Sequence, residues 1–195
     1  ICGTGIFDLI AQCYLRGIIF GDGTVNGEQK SFTTEVWDED AERSVPAVVY
    51  YEKADKKLYF TEPDIREFIR CKAAAHTMVA TLLEYCGLGL DDIDHIYLAG
   101  GFGTHIDLES AVTVGIYPDV DRKKMVLLGN TSLAGAKKLL LDAGQMARVR
   151  HFLESSEYLH FSEMERFPEN MVAAEFIPHT DGRLYPSVKR HPLQK

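Results

Sequence analysis

Three glycine turns carry the clearest chemistry in this sequence. Cys2-Gly3-Thr4-Gly5 leads straight into a helical pattern. Backbone N–H groups at the positive end of a helix dipole suit an anion such as a phosphate, and Thr4 adds a hydroxyl. Leu98-Ala99-Gly100-Gly101-Phe102-Gly103 closes a strand pattern. Ligands of open α/β sheets bind at that carboxyl edge, and glycine lets a flat base or a ribose approach because no Cβ intervenes. Gly129-Asn130-Thr131-Ser132 again joins strand to helix. Neither a Walker A loop nor a full G-x-G-x-x-G fingerprint is present. One such turn alone is as consistent with plain chain reversal; three in one chain point more firmly to a ligand.

The other reactive side chains are less directive. Lys72 sits among alanines, with Arg66 and Arg70 nearby, and is open to two readings. It either snorkels from a packed face or contacts a ribose or phosphate. His76, His95 and His105 have no carboxylate or Cys at ligand spacing and read as surface or core histidines. Asp107 reads as the cap of the helix that follows it. The cluster Asp38, Glu39, Asp40 and Glu42 reads as a solvated loop or hairpin tip rather than a cation or partner site. Cys2, Cys13, Cys71 and Cys86 form no zinc or ferredoxin spacing. The last three are expected to be reduced and buried in helices, which suits a cytoplasmic compartment; the exposure of Cys2 is left open. No metal site is expected.

The elements that position these turns follow from periodicity. Residues 6–16 carry apolar groups at helical spacing and end at Gly17. Residues 47–52 and 57–61 read as a hairpin joined by the turn 53–56. Thr61-Glu62-Pro63-Asp64 is a capping-box start for a helix running to about Cys86 and stopping at Gly87. Two strand–glycine turn–helix units follow, at 94–114 and 124–142, and imply an α/β layout with a largely buried sheet. Residues 145–155 and 162–172 read as helices, 158–161 as extended, and 179–195 as a surface or flexible tail.

The 195 residues suit one large domain or two small ones. Hydrophobic residues at 46% exclude wholesale disorder. A net charge of -8 without a basic run gives no attraction for nucleic acid or an anionic membrane. No apolar run reaches the length of a membrane helix. The chain starts at Ile1 inside a glycine motif and is expected to be a fragment of a longer protein.

Residues 1–12, 62–75, 96–119 and 127–141 together resemble the C-terminal ATPase-like domain of reductive activators of corrinoid proteins. That domain is a member of the acetate and sugar kinase, heat-shock chaperone and actin superfamily. The resemblance spans about residues 1–178, which are then one lobe of a ribonuclease-H-like/actin-like ATPase fold, an α/β mixed sheet flanked by helices. It implies that Gly100, Gly101 and Gly103, with Phe102 between them, border the purine and ribose. It implies that Gly3, Thr4 and Gly5 contact nucleotide, and that Lys72 reaches it. Asn130 joins them from the third turn, and Ala134 and Gly135 allow close packing between lobes.

The same resemblance implies ATP/ADP with Mg2+ as cofactor of the full-length protein. It also implies an iron–sulfur cluster upstream of this chain and a corrinoid protein as partner. Returning Co(II) to Co(I) is then the activity of the parent. An upstream lobe and a ferredoxin-like domain of the same parent chain, and a homodimer, are the other expected partners; nucleic acid and membrane are not. The superfamily's phosphate-binding D-x-G-T loops and the cluster cysteines are absent from these residues. The fragment alone is therefore expected neither to hydrolyse ATP nor to carry electrons, and to expose an apolar hinge face that favours self-association. Two competing readings are a small-molecule kinase lobe and a non-enzymatic interaction module of the same fold.

Overall fold

The computed structural model describes residues 1–40, 42–54, 56–189 and 191. The expected acidic tip and hairpin turn each include one residue outside these, Ala41 and Asp55, and Arg190 and residues 192–195 of the expected tail also lie outside them. Helix α1 (Gly3–Leu15) opens the chain and packs Phe7, Ile10, Ala11, Cys13 and Tyr14 into the core. Strands β1 (Thr33–Asp38), β2 (Arg43–Lys53) and β3 (Lys56–Thr61) form an antiparallel sheet in that order. The acidic residues after Trp37 therefore sit at a hairpin tip.

Helix α2 (Glu62–Tyr85) starts as the sequence dictates: the Thr61 side chain accepts from Asp64 N–H while Asp64 accepts from Thr61 N–H. Such a reciprocal cap contributes on the order of 1 kcal/mol. Gly87, at φ +67, terminates it. Strands β4 (Ile96–Ala99) and β5 (Met125–Gly129) pair in parallel. Between them lie the short α3 (Phe102–His105) and α4 (Leu108–Val114), the latter capped by Asp107, which accepts from Ser110 N–H at 2.7 Å.

Helices α5 (Thr131–Leu141), α6 (Gln145–Glu154) and α7 (Phe167–Ala174) complete the regular structure. The helix expected over 162–172 is shorter and starts later, because Pro168 seats its first turn at Phe167. The residues before it form only a 3₁₀ turn at Phe161–Glu163.

The main core gathers α1, α2 and α4 around Ile10, Tyr14, Ile65, Ala111 and Val114. A smaller cluster holds Leu98, Val112, Met125 and Tyr185. Three expectations need correction. The strands form two separate sheets, and the β4–β5 pair is half open rather than largely buried, with Tyr97, Leu127 and Leu128 exposed. Cys71 and Cys86 are exposed, since they lie on the outer face of α2 and at its end; only Cys13 is buried. The segment after Ile177 carries real packing: Tyr185 is 2% exposed and its hydroxyl donates to Gly115 O at 3.1 Å. A wide apolar surface is exposed on α5 and α6, including Leu140, Leu141, Phe152 and Leu153.

Candidate functional site

The three glycine turns meet at the carboxyl ends of β4 and β5. Parallel pairing sets Ala99 opposite Gly129. The next residue, Gly100, donates its N–H to Gly129 O at 2.7 Å, which ties the second turn to the third. Gly100 (φ +87) and Gly129 (φ +66) both lie in the left-handed region, where a side chain is strained. Thr104 Oγ1 donates back to Gly100 O at 3.1 Å and fixes the loop from within. The first turn joins through one aromatic ring. A Cβ on Gly3 would sit 3.4 Å from Phe102 Cζ. Phe102 also makes an edge contact with Phe7 at 5.6 Å, and Phe7 another with Phe68 at 5.0 Å. The turn is thereby braced on α1 and α2.

The glycines differ in purpose. A Cβ on Gly100 or Gly101 would meet nothing within 4 Å. That open backbone is a cradle a planar ligand could enter. Gly103 is the opposite: its Cβ would run into the Leu98 carbonyl. It is small so that α3 can fold back on β4, and it is not placed to border a ligand. Beside Gly3 and Phe102 lies a cleft of about 460 Å³ walled by Ile6, Phe60, Phe68 and Ile116, with Asp64, Glu67 and Cys71 also lining it. An apolar wall next to a glycine turn with open space around it is the kind of surface that takes a flat ring.

Thr4 and Gly5 belong to the first turn of α1, whose N-cap, Cys2, supplies no side-chain cap. The Cys2 thiol lies 3.4 Å from Thr4 Oγ1, and that hydrogen bond holds its pKa below the ordinary thiol value. Asn130 caps α5, accepting from Leu133 N–H at 2.9 Å, so its side chain is committed to the helix.

Lys72 departs from its implied role. It lines the apolar cleft and is 1% exposed. Its Nζ, however, donates to Phe176 O and Pro178 O, both at 2.6 Å. Burial pulls its pKa down to about 7. The ammonium ties α2 to the chain around the cis Ile177–Pro178 bond, which leaves it clamping the fold rather than reaching for the glycine turns. Beside it, His76 Nδ1 lies 3.0 Å from Tyr185 Oη and 5.1 Å, ring to ring, from His179. Since Tyr185 donates to Gly115 O, His76 is the donor in that pair. Sequence reasoning missed this cluster, because it joins residues 72–76 to residues 176–185 across about a hundred positions. His95 is exposed and stacks on Tyr97, and His105 is exposed.

No group of three or more His, Cys, Asp or Glu among the described residues is arranged to hold a metal. Among the described residues no helix is long and apolar enough to cross a membrane.

A family model described as the C-terminal domain of RACo, the ASKHA domain, matches residues 1–189. The chain belongs to that family. It is similar to a corrinoid activation enzyme, RamQ, from Eubacterium limosum, at 30% identity over 150 residues, 72% of this chain and 25% of the relative. It is also similar to a [Co(II) methylated amine-specific corrinoid protein] reductase from Methanosarcina barkeri, at 30% identity over 127 residues, 64% of this chain and 23% of that protein. A solved reductive activator for a corrinoid, iron–sulfur protein superposes with a TM-score of 0.86 at 37% identity, covering 96% of this chain and 30% of that one. The ASKHA-domain chain therefore spans about a quarter of the length of the curated relatives it matches. The actin-like α/β fold that the resemblance implied is the fold of this family.

Proposed function

We propose that this ASKHA domain supplies one half of the ATP/ADP site of a reductive activator of a corrinoid protein. The observation that carries the reading is the convergence of three glycine turns on one sheet edge, with open backbone at Gly100 and Gly101 beside an apolar cleft. In this reading Gly100, Gly101, Phe102 and Gly3 frame the base and ribose. Thr4 and Gly5 face the phosphates from the uncapped N-terminus of α1. Gly103 and Asn130 shape the turn and its following helix without touching ligand.

The activity itself belongs to the longer protein. An iron–sulfur cluster in another part of that protein passes one electron to Co(II) of a corrinoid, giving Co(I), when nucleotide is bound. In this reading Mg2+ and the phosphate-binding loops belong to the upstream lobe, as the family resemblance implies. That lobe, or a second copy, would also cover the exposed leucines of α5. Two lobes that grip ATP and ADP differently make nucleotide a switch, because a ligand moves an equilibrium only by its differential affinity.

Calorimetric titration of Mg-ATP and Mg-ADP into the full-length parent tests this. The parent should bind, and Gly101→Val should weaken binding by at least about tenfold, roughly 1.4 kcal/mol. A parent that binds neither nucleotide removes the proposal and leaves an interaction module of the same fold.

A further inference from the structure

A groove of about 440 Å³ runs between the start of β2 and the first two turns of α2. Arg43 and Ser44 line it on the strand side; Glu62, Arg66, Glu67 and Arg70 line it on the helix side. Glu62, Arg66 and Arg70 recur at intervals of four, so they form one stripe of α2. Val45, Pro46 and Pro63 give the groove an apolar part.

The charges in this groove are unevenly matched. Glu62 is fully used: Oε1 accepts from Arg66 at 3.0 Å and Oε2 from Val25 N–H at 3.0 Å. Arg70 approaches Glu67 only to 3.6 Å, beyond hydrogen-bond length. Arg43 has no ion pair among the described residues. Three guanidinium groups therefore share two carboxylates, and one of those carboxylates is already spoken for. This surplus of one guanidinium occurs on a chain whose net charge is -8. Exposed ion pairs of this kind hold by about 1 kcal/mol or less, so an incoming carboxylate exchanges with Glu67 at little cost.

We propose that this groove docks an acidic segment of a partner protein, with partner carboxylates on Arg43 and Arg70 and an apolar partner side chain against Val45, Pro46 and Pro63. Arginine suits this because its planar fork takes a carboxylate through two parallel N–H donors, which a lysine cannot do. A peptide is favoured over a compact phosphate for two reasons. The guanidinium groups come from two elements along a groove, and the two glutamates within it repel a dense point charge while an extended chain passes between them. The site is separate from the glycine turns and stands whether or not the nucleotide reading holds.

The probe is a fluorescein-labelled peptide of eight residues alternating Glu and Leu, followed by anisotropy. The unmodified protein should bind it at low ionic strength and release it as salt is raised. The double variant Arg43→Ser/Arg70→Ser should weaken binding at least about tenfold, as expected for two lost charge-assisted contacts. Both side chains are exposed, so the circular dichroism melt should not move; a control double variant on α5, Lys137→Ser/Lys138→Ser, should bind as well as the unmodified protein. Equal affinity in the arginine variant, or equal loss in the lysine control, overturns the proposal. Displacement of the peptide by millimolar inorganic phosphate would also overturn it, by making the groove a phosphate site.

Discussion

The glycine-turn end and the Lys72 clamp are two polar constellations of this domain, and they are built on opposite terms. At the clamp the polar atoms that hold it together are paired. Lys72 has two carbonyls, Tyr185 has Gly115 O, and His76 has Tyr185. At the turns the Gly100 backbone is bonded within the loop, yet a side chain added at Gly100 or Gly101 would meet only open space. The lesson is that a charged residue in a motif is not the better guide to a site. In the sequence Lys72 was open to two readings, a packed stem or a nucleotide contact, and the structure shows its Nζ bonded to two buried carbonyls. A buried ammonium must find acceptors inside the protein, and once it has them it is not available to a ligand.

The sharpest way to break the comparison lies within the turn itself, where Gly103 stands with the closed region despite its sequence neighbours. Gly103→Ala puts a methyl into the Leu98 carbonyl, a backbone atom that cannot move without opening the β4–α3 junction. The expected loss is at least about 3 kcal/mol, enough to unfold a marginal domain. Thermal melts followed by circular dichroism decide it. An unchanged melting temperature would mean that α3 does not pack on β4 as described.

Lys72 comes next. Lys72→Ala removes a buried stem and leaves two carbonyls without donors, at a cost of about 3 kcal/mol. Lys72→Met keeps the stem and removes the charge that burial disfavours. It should cost about 1 to 2 kcal/mol less than the alanine variant. Chemical denaturation separates them. If the methionine variant instead keeps full stability while the parent loses nucleotide binding, Lys72 is a ligand residue after all and the clamp is incidental.

The clamp also predicts a pH dependence. Burial, with Lys72 and His179 close by, pushes His76 down to about 4. The folded state then resists a proton that the unfolded chain accepts near the ordinary histidine value of about 6.5. Stability is fully present above about pH 6.5 and is lost as the pH falls toward 4, by about 2 to 3 kcal/mol at most. His76→Phe should flatten that slope in denaturant titrations at several pH values. A slope unchanged by the substitution would place the acid sensitivity in other groups.

How much of this was legible beforehand follows the range of the interactions. The cap at Thr61, the stop at Gly87 and the Asp107 cap rest on neighbours three or four residues apart, and they were readable. The turns were readable as turns, because glycine between strand and helix patterns has few other uses. Their meeting was not, since Gly100 to Gly129 and Gly3 to Phe102 depend on parallel pairing and on one ring orientation. Nor was the division between Gly101 and Gly103 readable, because identical residues differ only in what a Cβ would strike. The clamp lay furthest out of reach, with its lysine and its acceptors 104 and 106 residues apart.

The smallest effect is the most discriminating. Gly101 has φ -60 and ψ -42, a helical conformation that alanine adopts freely. The added methyl meets nothing within 4 Å. Gly101→Ala should therefore leave the fold intact and raise stability by about 0.4 to 1 kcal/mol, because alanine gives the unfolded chain less freedom to lose. The same substitution two residues on, at Gly103, is expected to do the reverse by several times as much. A natural chain that keeps a glycine where alanine would stabilise it has a reason outside folding, and in the function proposed above that reason is access to the backbone by a ligand. Parallel melts of the two alanine variants measure the contrast directly. If Gly101→Ala destabilises as Gly103→Ala does, the backbone at Gly101 is not open, and the turn is a packed chain reversal rather than a cradle.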